Sequence, residues 1–375
     1  MVINLKKLLL LIMLNFIFVS FSVKANDLVL IEGAKSGILI EAYTREILYE
    51  KNKDEKLSPA SMTKIMTLLL VYEAIDHEII NKNTKLITSD YAASMGGSQV
   101  FLKVGEEISV DEAIKCVCIA SANDCAVLLA EKVCGTEKQF VNKMNTKAKE
   151  LGCQNTNFTD CTGLNENDHY TTSYDMSLMA LELVSKYPDV LNYTNIKEDY
   201  IRKDTETPFW LVNTNKLIGR VEGLNGLKTG YTSFSGYCIT LHMTEQNMSL
   251  ISVVMGYDNA LKRNTESLEL LKYGFSTYKL DRICTKGDTI KSINHILYKN
   301  NIDILIEKDV YHLSKRSDKF QYSNKYEFKL EDCKINGKYE VFLDGELIGQ
   351  SSLSSNKIEK KSILELILDL IKETI

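Results

Sequence analysis

The pattern of apolar positions divides the chain into two unlike parts. From residue 28 to about 278, short apolar runs alternate with stretches in which apolar residues recur every three or four positions, which predicts a mixture of strands and helices. Strands are predicted at 37–43, 46–50, 237–243 and 250–255. Helices are predicted from about 61, from 109 to a break at 121–123, from there to 134, and at 137–151, 173–186 and 262–275. This part is expected to be one mixed α/β unit.

Two of the helix boundaries carry local signals. Ser109 and Glu112 have the spacing of a capping box, in which a helix-start hydroxyl and a glutamate satisfy free backbone N–H groups. The helical pattern breaks at Ser121-Ala-Asn123 and resumes until Gly135, a typical stop residue. Ser121 and Asn123 are therefore expected to lie between two helices.

After about residue 280 the apolar and polar residues include alternating runs, at 302–306, 325–330 and 338–343. Asn336-Gly337 and Asp344-Gly345 flank the last run and are two-residue hairpin signals, because these residue types tolerate positive φ. A small antiparallel β domain is predicted, with 351–357 as a short linker.

The tail, 358–375, predicts an amphipathic helix. One face is charged, and the rest of the surface is apolar: Glu365, Asp369, Lys372 and Glu373 against Ile363, Leu364, Leu366, Ile367, Leu370 and Ile371. So much apolar surface needs a covering. A membrane surface is one candidate, and the protein itself or a partner is the other. The acidic polar face weakens the membrane interpretation, because anionic lipid favours Lys and Arg.

Composition and the N-terminus restrict the class of protein. The 375 residues are 45% hydrophobic and 25% charged, with a net charge of −5, which excludes a disordered, collagenous or coiled-coil chain. The lack of a basic excess argues against nucleic-acid binding. Lys6 and Lys7 precede an apolar run at 8–19 and a Val23-x-Ala25 ending, which predicts a secretory signal cleaved after Ala25. The alternative is an uncleaved anchor, although the run is short for a membrane span.

The nine cysteines are an odd number, so at least one stays unpaired in an oxidising exterior. Most are interpreted as small buried apolar residues, and Cys153–Cys161 is the pair to test first for a bridge. The sequence has no Cys-x-x-Cys pair and no cluster of histidines. No metal and no organic cofactor is therefore expected.

A candidate nucleophile stands at the start of the first apolar helix, in Ser61-Met-Thr-Lys64. A serine at a helix N-terminus has free backbone N–H groups beside it and the positive end of the helix dipole behind it. Lys64 follows one turn later on the same face. An amine whose pKa is lowered by burial or by nearby positive charge can take the serine proton. A helix cap followed by a solvated lysine gives the same spacing, so the pair alone indicates little.

Two further segments carry polar residues without defining a chemistry by themselves. Ser and Asn in Ser121-Ala-Asn123 are ordinary loop and capping residues. Lys228-Thr-Gly230 adjoins a strand, where Gly230 would let a ligand approach the strand edge closely. The plain alternative for this segment is a surface lysine in a hairpin.

Together and in this order, the three segments resemble the motif set of the penicillin-recognising serine enzymes. The flanking residues are similar to the low-molecular-mass D-alanyl-D-alanine carboxypeptidases, serine peptidase family S11, at 58–67, 95–102, 119–124, 213–215 and 227–232. The resemblance is strong over residues 26–278. The β domain and the tail match that family only in architecture.

The resemblance implies an α/β (α+β) catalytic domain of β-lactamase-like fold, and acyl transfer through a serine ester. Ser61 would attack the penultimate D-alanine of a peptidoglycan stem peptide, with Lys64 as general base. Ser121 would relay a proton to the departing D-alanine, and Asn123 would bind the peptide amide. Lys228 would supply positive charge beside Ser121 and help to keep Lys64 neutral. β-Lactam antibiotics would act as covalent inhibitors.

The resemblance also implies substrate-binding groups. The backbone N–H groups of Ser61 and Tyr231 would form the oxyanion hole. Thr229 would bind the terminal carboxylate of the substrate, with Gly230 beside it. Arg263 matches the family's second carboxylate contact, or is a surface arginine at a helix start.

Other functions on the same fold stay open. A β-lactamase is the nearest, but the Glu-x-x-Leu-Asn context of the class A type does not occur between Ser121 and Lys228. A DD-endopeptidase or transpeptidase would share the same motifs, and a wall-binding or antibiotic-sensing protein would lack catalysis. His169, where the family often has a histidine before a Ser/Thr pair, is interpreted as structural.

The sequence thus predicts four segments: a signal peptide at 1–25, a catalytic domain at 26–278, a β-rich domain at 279–357 and an amphipathic helix at 358–375. The expected location is the extracytoplasmic face of the cell membrane or the cell wall. The expected partners are peptidoglycan stem peptides, β-lactams and a membrane surface, with no nucleic acid.

Overall fold

The computed structural model describes residues 29–165 and 167–374, so the predicted signal peptide at 1–25 lies outside the described residues. The strands are β1 (Ser36–Glu41), β2 (Ile47–Lys51), β3 (Lys85–Ile87), β4 (Glu107–Ser109), β5 (Glu198–Ile201), β6 (Phe209–Val212), β7 (Leu224–Thr232), β8 (Gly236–Glu245), β9 (Met248–Tyr257), β10 (Tyr278–Cys284), β11 (Thr289–Ile293), β12 (Ile302–Ile306), β13 (Val310–Lys315), β14 (Tyr322–Glu331), β15 (Lys334–Leu343) and β16 (Glu346–Ser355). The α-helices are α1 (Lys64–Asp76), α2 (Asp90–Ala93), α3 (Val110–Ile119), α4 (Asn123–Cys134), α5 (Glu137–Glu150), α6 (Ser173–Lys186), α7 (Leu191–Thr194), α8 (Ala260–Thr277) and α9 (Ile363–Thr374).

An antiparallel five-stranded sheet, in the order β2-β1-β9-β8-β7, lies at the centre of the first part of the chain. Successive side chains of a strand point to opposite faces. Ile38 and Val253 therefore join the core formed with α1 and α6, whereas Leu39 and Leu250 join the core formed with α8. Helices cover both faces, which confirms the predicted mixed α/β fold.

The helix α1 runs through the middle of the helical layer, between α4 and α6. Its residues from Lys64 to Tyr72 are buried around the whole circumference, as expected for a helix enclosed by protein rather than lying at a surface. One of these buried residues is Lys64, whose side chain is 0% exposed. The fold therefore places a basic side chain in a fully enclosed position.

The local signals for helix ends are confirmed, with one difference. Ser109 forms the capping box with Glu112, and α4 ends at Gly135 with φ 82°. The helix predicted from about residue 61 instead begins with a 3₁₀ turn, Ala60–Thr63, and becomes α-helical at Lys64. The tighter turn arises because the Met62 N–H bonds to the carbonyl of Pro59, three residues back.

A second antiparallel sheet, in the order β11-β12-β16-β15-β14, follows the first part of the chain. Its own apolar core contains Ile302, Ile304 and Val341, and this confirms the β architecture predicted after residue 280. The hairpin-like pair β10–β13 leads into it from α8. Tyr311 on β13 stacks on Tyr43 of the first part, with ring centroids 4.9 Å apart.

One of the two hairpin signals in this sheet is wrong. Asp344-Gly345 forms the predicted turn with φ values of 48° and 87°. Asn336-Gly337, however, lies inside β15, and the turn before it is Asp332-Cys333, with φ values of 48° and 58°. A Cβ at Gly337 would lie 2.4 Å from the Glu327 carbonyl oxygen. The glycine therefore serves the close approach of β14 rather than a turn.

The predicted linker at 351–357 is also wrong over most of its length, because β16 extends to Ser355. Ser351 is 1% exposed, and its hydroxyl accepts hydrogen bonds from the N–H groups of Glu307 and Lys308. A run of serines has the composition of a loop. Here one of those serines satisfies the backbone of a neighbouring turn from within a strand.

The predicted amphipathic tail helix is present as α9, and its charged side is turned toward the β sheet. Glu365 pairs with Lys299 at 2.9 Å, and Asp369 pairs with Lys361 at 2.7 Å. The apolar side is exposed, as shown by Ile363 at 79%. Within residues 29–165 and 167–374, no helix combines the length and apolar character required to cross a bilayer.

All nine cysteines lie in the described part of the chain, and all are free thiols. The bridge considered for Cys153–Cys161 is absent: both thiols are buried in the apolar core, and that of Cys153 donates to the Asp175 carbonyl oxygen at 3.6 Å. Seven of the nine are buried, as expected for small apolar residues. Burial raises the pKa of the Cys118 thiol to about 12, so it stays neutral.

Candidate active site

Ser61 lies in the 3₁₀ turn that precedes α1, directly after a residue with a strained backbone conformation. The residue before it, Ala60, has φ 46°, a left-handed conformation that costs a residue with a Cβ about 1 kcal/mol or more. The turn is closed by the bond from Met62 N–H to Pro59. As a result Ser61 is partly exposed, while its neighbours Ala60 and Met62 are buried.

The amine of Lys64 is in direct contact with this serine. Lys64 Nζ lies 3.0 Å from Ser61 Oγ and 2.7 Å from the Thr162 carbonyl oxygen. Desolvation by burial lowers the pKa of Lys64 to about 8, although the nearby Asp160 and Asp124 carboxylates act in the opposite direction. A neutral amine has one lone pair. Because the Thr162 carbonyl can only accept, the lone pair of Lys64 is available to the Ser61 hydroxyl.

The Thr162 carbonyl is held in place by a loop that sequence reasoning missed. The carboxylate of Asp160 accepts from the N–H groups of Thr162, Gly163 and Asn165. A Cβ on Gly163 would lie 1.8 Å from the Ala60 carbonyl oxygen, so only glycine lets the loop close on the Ser61 turn. An aspartate followed by small residues could have indicated this loop, but the same residues occur in ordinary turns and do not point to an active site.

His169 ties the same loop to the strained residue before Ser61. Its Nδ1 accepts from the Thr159 N–H, so the neutral ring carries its proton on Nε2, which donates to Thr63 Oγ1 at 2.8 Å. Thr63 Oγ1 in turn donates to the Ala60 carbonyl at 2.8 Å. These contacts give His169 the structural role expected from the sequence.

Ser121 lies in the break between α3 and α4, as predicted, whereas Asn123 is already the first residue of α4. Ser121 has φ 62° and is 3% exposed, and its hydroxyl has no hydrogen-bond partner among the described residues. The Asn123 amide nitrogen donates to the Gly96 carbonyl at 2.7 Å, while its Oδ1 is buried without a described partner. Both side chains therefore retain polar capacity for a bound ligand.

The loop opposite Asn123 is fixed by Asp124, a second residue that sequence reasoning missed. The buried Asp124 carboxylate accepts from the N–H groups of Val100 and Leu102. The Asn123 N–H bonds to the Ser98 carbonyl at 2.7 Å. Of these two adjacent residues at the start of α4, Asp124 holds the loop and Asn123 lines the site.

The Lys-Thr-Gly segment lies on β7, the edge strand of the central sheet, and its lysine is buried rather than at the surface. Gly230 faces the Ser61 turn so closely that a Cβ there would lie 2.5 Å from the Pro59 carbonyl oxygen. Thr229 donates its hydroxyl to Thr214 at 2.9 Å. The glycine thus brings the strand edge against the turn that carries Ser61.

Lys228 is a second enclosed lysine, 2% exposed. Burial, followed by the positive charges of Lys64 and Arg263, lowers its pKa well below the ordinary lysine value. Cys118, one turn before Ser121, lies near the same amine, and a negative charge on its sulfur would raise the pKa of Lys228. Because two neighbouring ammonium groups in one enclosed space repel, the pair favours a state with no more than one charge.

The last two predicted residues lie at the margin of the site. Tyr231 is 55% exposed and stacks on Tyr237, with centroids 4.2 Å apart. Arg263 is 5% exposed on α8, so it is not the surface arginine of the alternative interpretation. Its guanidinium donates to the Cys238 carbonyl and to Asn264, and burial lowers its pKa.

The described residues contain no group of three or more His, Cys, Asp or Glu side chains that could hold a metal ion. The chemistry at hand is a serine at a turn, an amine in contact with it, and a second amine close to the first. This is the arrangement of an acyl-transfer enzyme of the penicillin-recognising serine class.

Residues 23–259 match the family model of peptidase S11, D-alanyl-D-alanine carboxypeptidase. The chain belongs to this family. The class inferred from the three short segments and their flanking residues is thereby confirmed.

Similar proteins cover most of the chain. D-alanyl-D-alanine carboxypeptidase DacF of Bacillus subtilis (strain 168) is 41% identical over 338 residues, which is 88% of this chain and 86% of its own. Penicillin binding protein 5 from Haemophilus influenzae is 27% identical with a TM-score of 0.71, covering 88% of this chain and 98% of its own. Penicillin-Binding Protein D2 from Listeria monocytogenes, in an ampicillin bound form, is 30% identical with a TM-score of 0.59, covering 65% and 98%.

We predict that His169 makes the protein less stable in mild acid. Burial lowers the pKa of His169 below its ordinary value of 6.5. As the pH falls below about 6.5, the unfolded chain binds a proton that the folded chain does not, so the free energy of unfolding decreases. Replacing His169→Asn should reduce this slope by up to about 1.4 kcal/mol per pH unit, measured by denaturant unfolding between pH 7 and pH 5.

The exposed His77 supplies the control, and His77→Asn should leave the slope unchanged. Part of the slope should remain in both variants, because burial also lowers the pKa of His242, to about 4. An identical slope in wild type and His169→Asn would show that His169 is not held neutral.

Proposed function

We propose that this chain removes the terminal D-alanine from peptidoglycan stem pentapeptides through an acyl-enzyme on Ser61. The observation that carries the proposal is the 3.0 Å contact between Ser61 Oγ and an amine whose pKa burial lowers to about 8. Ordinary lysine stays protonated near neutral pH and cannot accept a proton. An amine with a pKa near 8 is neutral in a usable fraction of molecules, which suits a general base.

Acylation then follows from the positions of three side chains. Ser61 Oγ attacks the carbonyl carbon of the penultimate D-alanine while its proton passes to Lys64 Nζ. The carbon–nitrogen bond breaks, and the departing D-alanine amine receives a proton through the Ser121 hydroxyl, which is buried and without a described partner. When Lys64 is neutral, the one positive charge that the two lysines can hold is assigned to Lys228, although burial lowers the pKa of that amine as well. There it would favour proton transfer to the departing amine and disfavour protonation of Lys64.

Backbone and side-chain donors on the edge strand orient the substrate. The Thr232 N–H bonds to Ser235 in the hairpin, so the adjacent Tyr231 N–H is directed to the open edge of β7, facing the Ser61 turn. The N–H groups of Ser61 and Tyr231 are assigned to the oxyanion hole, where the loss of one donor costs about 10²–10³ in rate. Asn123 Oδ1 accepts the N–H of the substrate peptide.

The terminal carboxylate of the substrate is assigned to Thr229, whose hydroxyl already contacts Thr214 beside the strand edge. Arg263 supplies positive charge from α8 through its contact with Cys238, the partner of Gly230 in the sheet. Water attacks the Ser61 ester in the last step and releases the shortened peptide. A β-lactam would acylate Ser61 in the same way and block the site as a covalent inhibitor. The Listeria relative in its ampicillin bound form supports binding of such a ligand.

The decisive assay is release of D-alanine from diacetyl-Lys-D-Ala-D-Ala or a stem pentapeptide. Wild-type protein should release D-alanine, and Ser61→Ala should lower the rate at least 10³-fold because no ester can form. Ser94 is a matched control on the same unit, since its hydroxyl donates to the Tyr91 carbonyl and has no step of the reaction assigned to it. Ser94→Ala should keep wild-type activity.

Two results would contradict the proposal. The first is D-alanine release that survives Ser61→Ala. The second is rapid hydrolysis of benzylpenicillin with no D-alanine release, which would make the protein a β-lactamase.

We further propose that the protein works at the extracytoplasmic face of the cell membrane. The N-terminal export pattern and the location of peptidoglycan support export. Membrane contact rests on α9, whose ion pairs with Lys299 and Lys361 turn its charged side inward and leave Ile363, Leu364 and Ile367 exposed. An apolar side held outward in this way suits an in-plane helix at a bilayer surface.

The membrane contact predicts that charge on this apolar side abolishes binding to lipid. The double variant Ile363→Asp/Ile367→Asp should lower co-sedimentation with anionic phospholipid vesicles at least tenfold, because each buried isoleucine contributes about 1.5–3 kcal/mol. The control is Ile79→Asp/Ile87→Asp, two isoleucines that are 56% and 66% exposed on the first part of the chain. Equal binding by both double variants would refute the contact.

A further inference from the structure

A cavity of about 330 Å³ opens beside the hairpin that joins β7 to β8. Lys35, Lys56, Tyr170 and Phe234 contribute to its wall, together with the segment just before the Ser61 turn. Phe234, at the tip of the hairpin, is 63% exposed. None of these four side chains takes part in the reaction steps assigned above.

Each of the two lysines packs against a neighbouring residue, and together they give the cavity a positive charge. Lys56 Nζ lies 4.8 Å from the centre of the Tyr170 ring. The stem of Lys35 fills the space beside Gly256, where a Cβ would lie 2.7 Å from Lys35 Cγ and Cδ. Within the part of the chain that the structure describes, neither ammonium lies within 4.0 Å of a carboxylate.

One carboxylate shares the wall but is already engaged. Asp168 accepts from the Asn157 side chain at both its carbonyl, at 2.6 Å, and its carboxylate, at 3.3 Å. Its single negative charge does not balance the two ammonium groups. The cavity therefore suits an anionic group that arrives with a ligand.

The path of the substrate leads to this cavity. The assignments above place the terminal carboxylate of the substrate at Thr229 and the scissile carbonyl at the Tyr231 N–H. The residues before the scissile bond then lie further along β7, toward the hairpin tip. Two or three residues of an extended peptide span about 7–10 Å. Since β7 ends at Thr232, directly after Tyr231, a peptide of this length extends past the end of the strand to the turn that lines the cavity.

We propose that this cavity is a subsite for a free carboxylate on the stem peptide, two or three residues before the scissile bond, which Lys35 and Lys56 bind. The inference rests on the proposed carboxypeptidase function. Two residues of a stem peptide can supply the group: the α-carboxylate of a γ-linked D-glutamate at the second position, or the side-chain carboxylate of diaminopimelate at the third. Amidated glutamate or lysine at these positions lacks it. Phe234, exposed on the same wall, would pack on the backbone of the bound peptide.

The test compares four synthetic pentapeptides that end in D-Ala-D-Ala. They carry D-glutamate or D-isoglutamine at the second position, and diaminopimelate or lysine at the third. The measured quantity is the ratio of kcat/KM for a peptide with the carboxylate to kcat/KM for its counterpart without it. For wild type we expect a ratio of about three to ten for one of the two positions, carried mainly by KM, because exposed ion pairs contribute up to about 1 kcal/mol each.

Lys35→Gln/Lys56→Gln should bring that ratio close to one, and rising salt should do the same for wild type. Lys138→Gln, an exposed lysine on α5, is the control that should keep the wild-type ratio. The position at which the ratio exceeds one identifies the source of the carboxylate. A wild-type ratio of one at both positions, or a ratio that survives the double substitution, would overturn the subsite. Failure of wild type to release D-alanine from all four peptides would instead overturn the proposed function.

Discussion

The structure depends on one enclosed amine, that of Lys64, held between a serine hydroxyl and the Thr162 carbonyl. Moving the pKa of a lysine from 10.5 to about 8 disfavours its charged form by about 3 kcal/mol, at about 1.4 kcal/mol per pKa unit. A shift of this size requires packing that keeps water away from the amine. The buried helix α1 and the helices around it supply this packing, and the contact between Lys64 and Ser61 supplies the chemistry.

Several parts of the molecule position Ser61 and the Thr162 carbonyl around the Lys64 amine. Asp160 folds the loop that presents the Thr162 carbonyl, and His169 connects that loop to Ala60 through Thr63. Gly230 brings the edge of β7 against the same turn. The site is thus formed by loops and one strand edge whose backbones meet at distances that only glycine permits, on a base of buried helices.

The sequence was most informative where periodicity or a short motif decides the structure. The apolar period predicted the helices around α1 and the strands of the central sheet, and three short segments with their flanks indicated the family. Contacts between distant segments could not be predicted, because the bond from Asp160 to its loop and the bond from Asp124 to Val100 leave no periodic signal. Local composition also misled: Asn336-Gly337 has the residues of a hairpin turn but lies in a strand, since the partner strand requires the glycine.

The most direct test of the account is the pH dependence of Ser61 acylation by benzylpenicillin, followed by mass spectrometry of the covalent adduct. If Lys64 is the base, the second-order rate should rise with pH through about 8 and then level off, because the neutral amine becomes the major form above its pKa. Lys64→Arg should show only a residual rate without this inflection, since the guanidinium stays charged. A wild-type rate that is flat from pH 6 to pH 9.5, or an inflection near 8 that persists in Lys64→Arg, would contradict the assignment of Lys64 as the base.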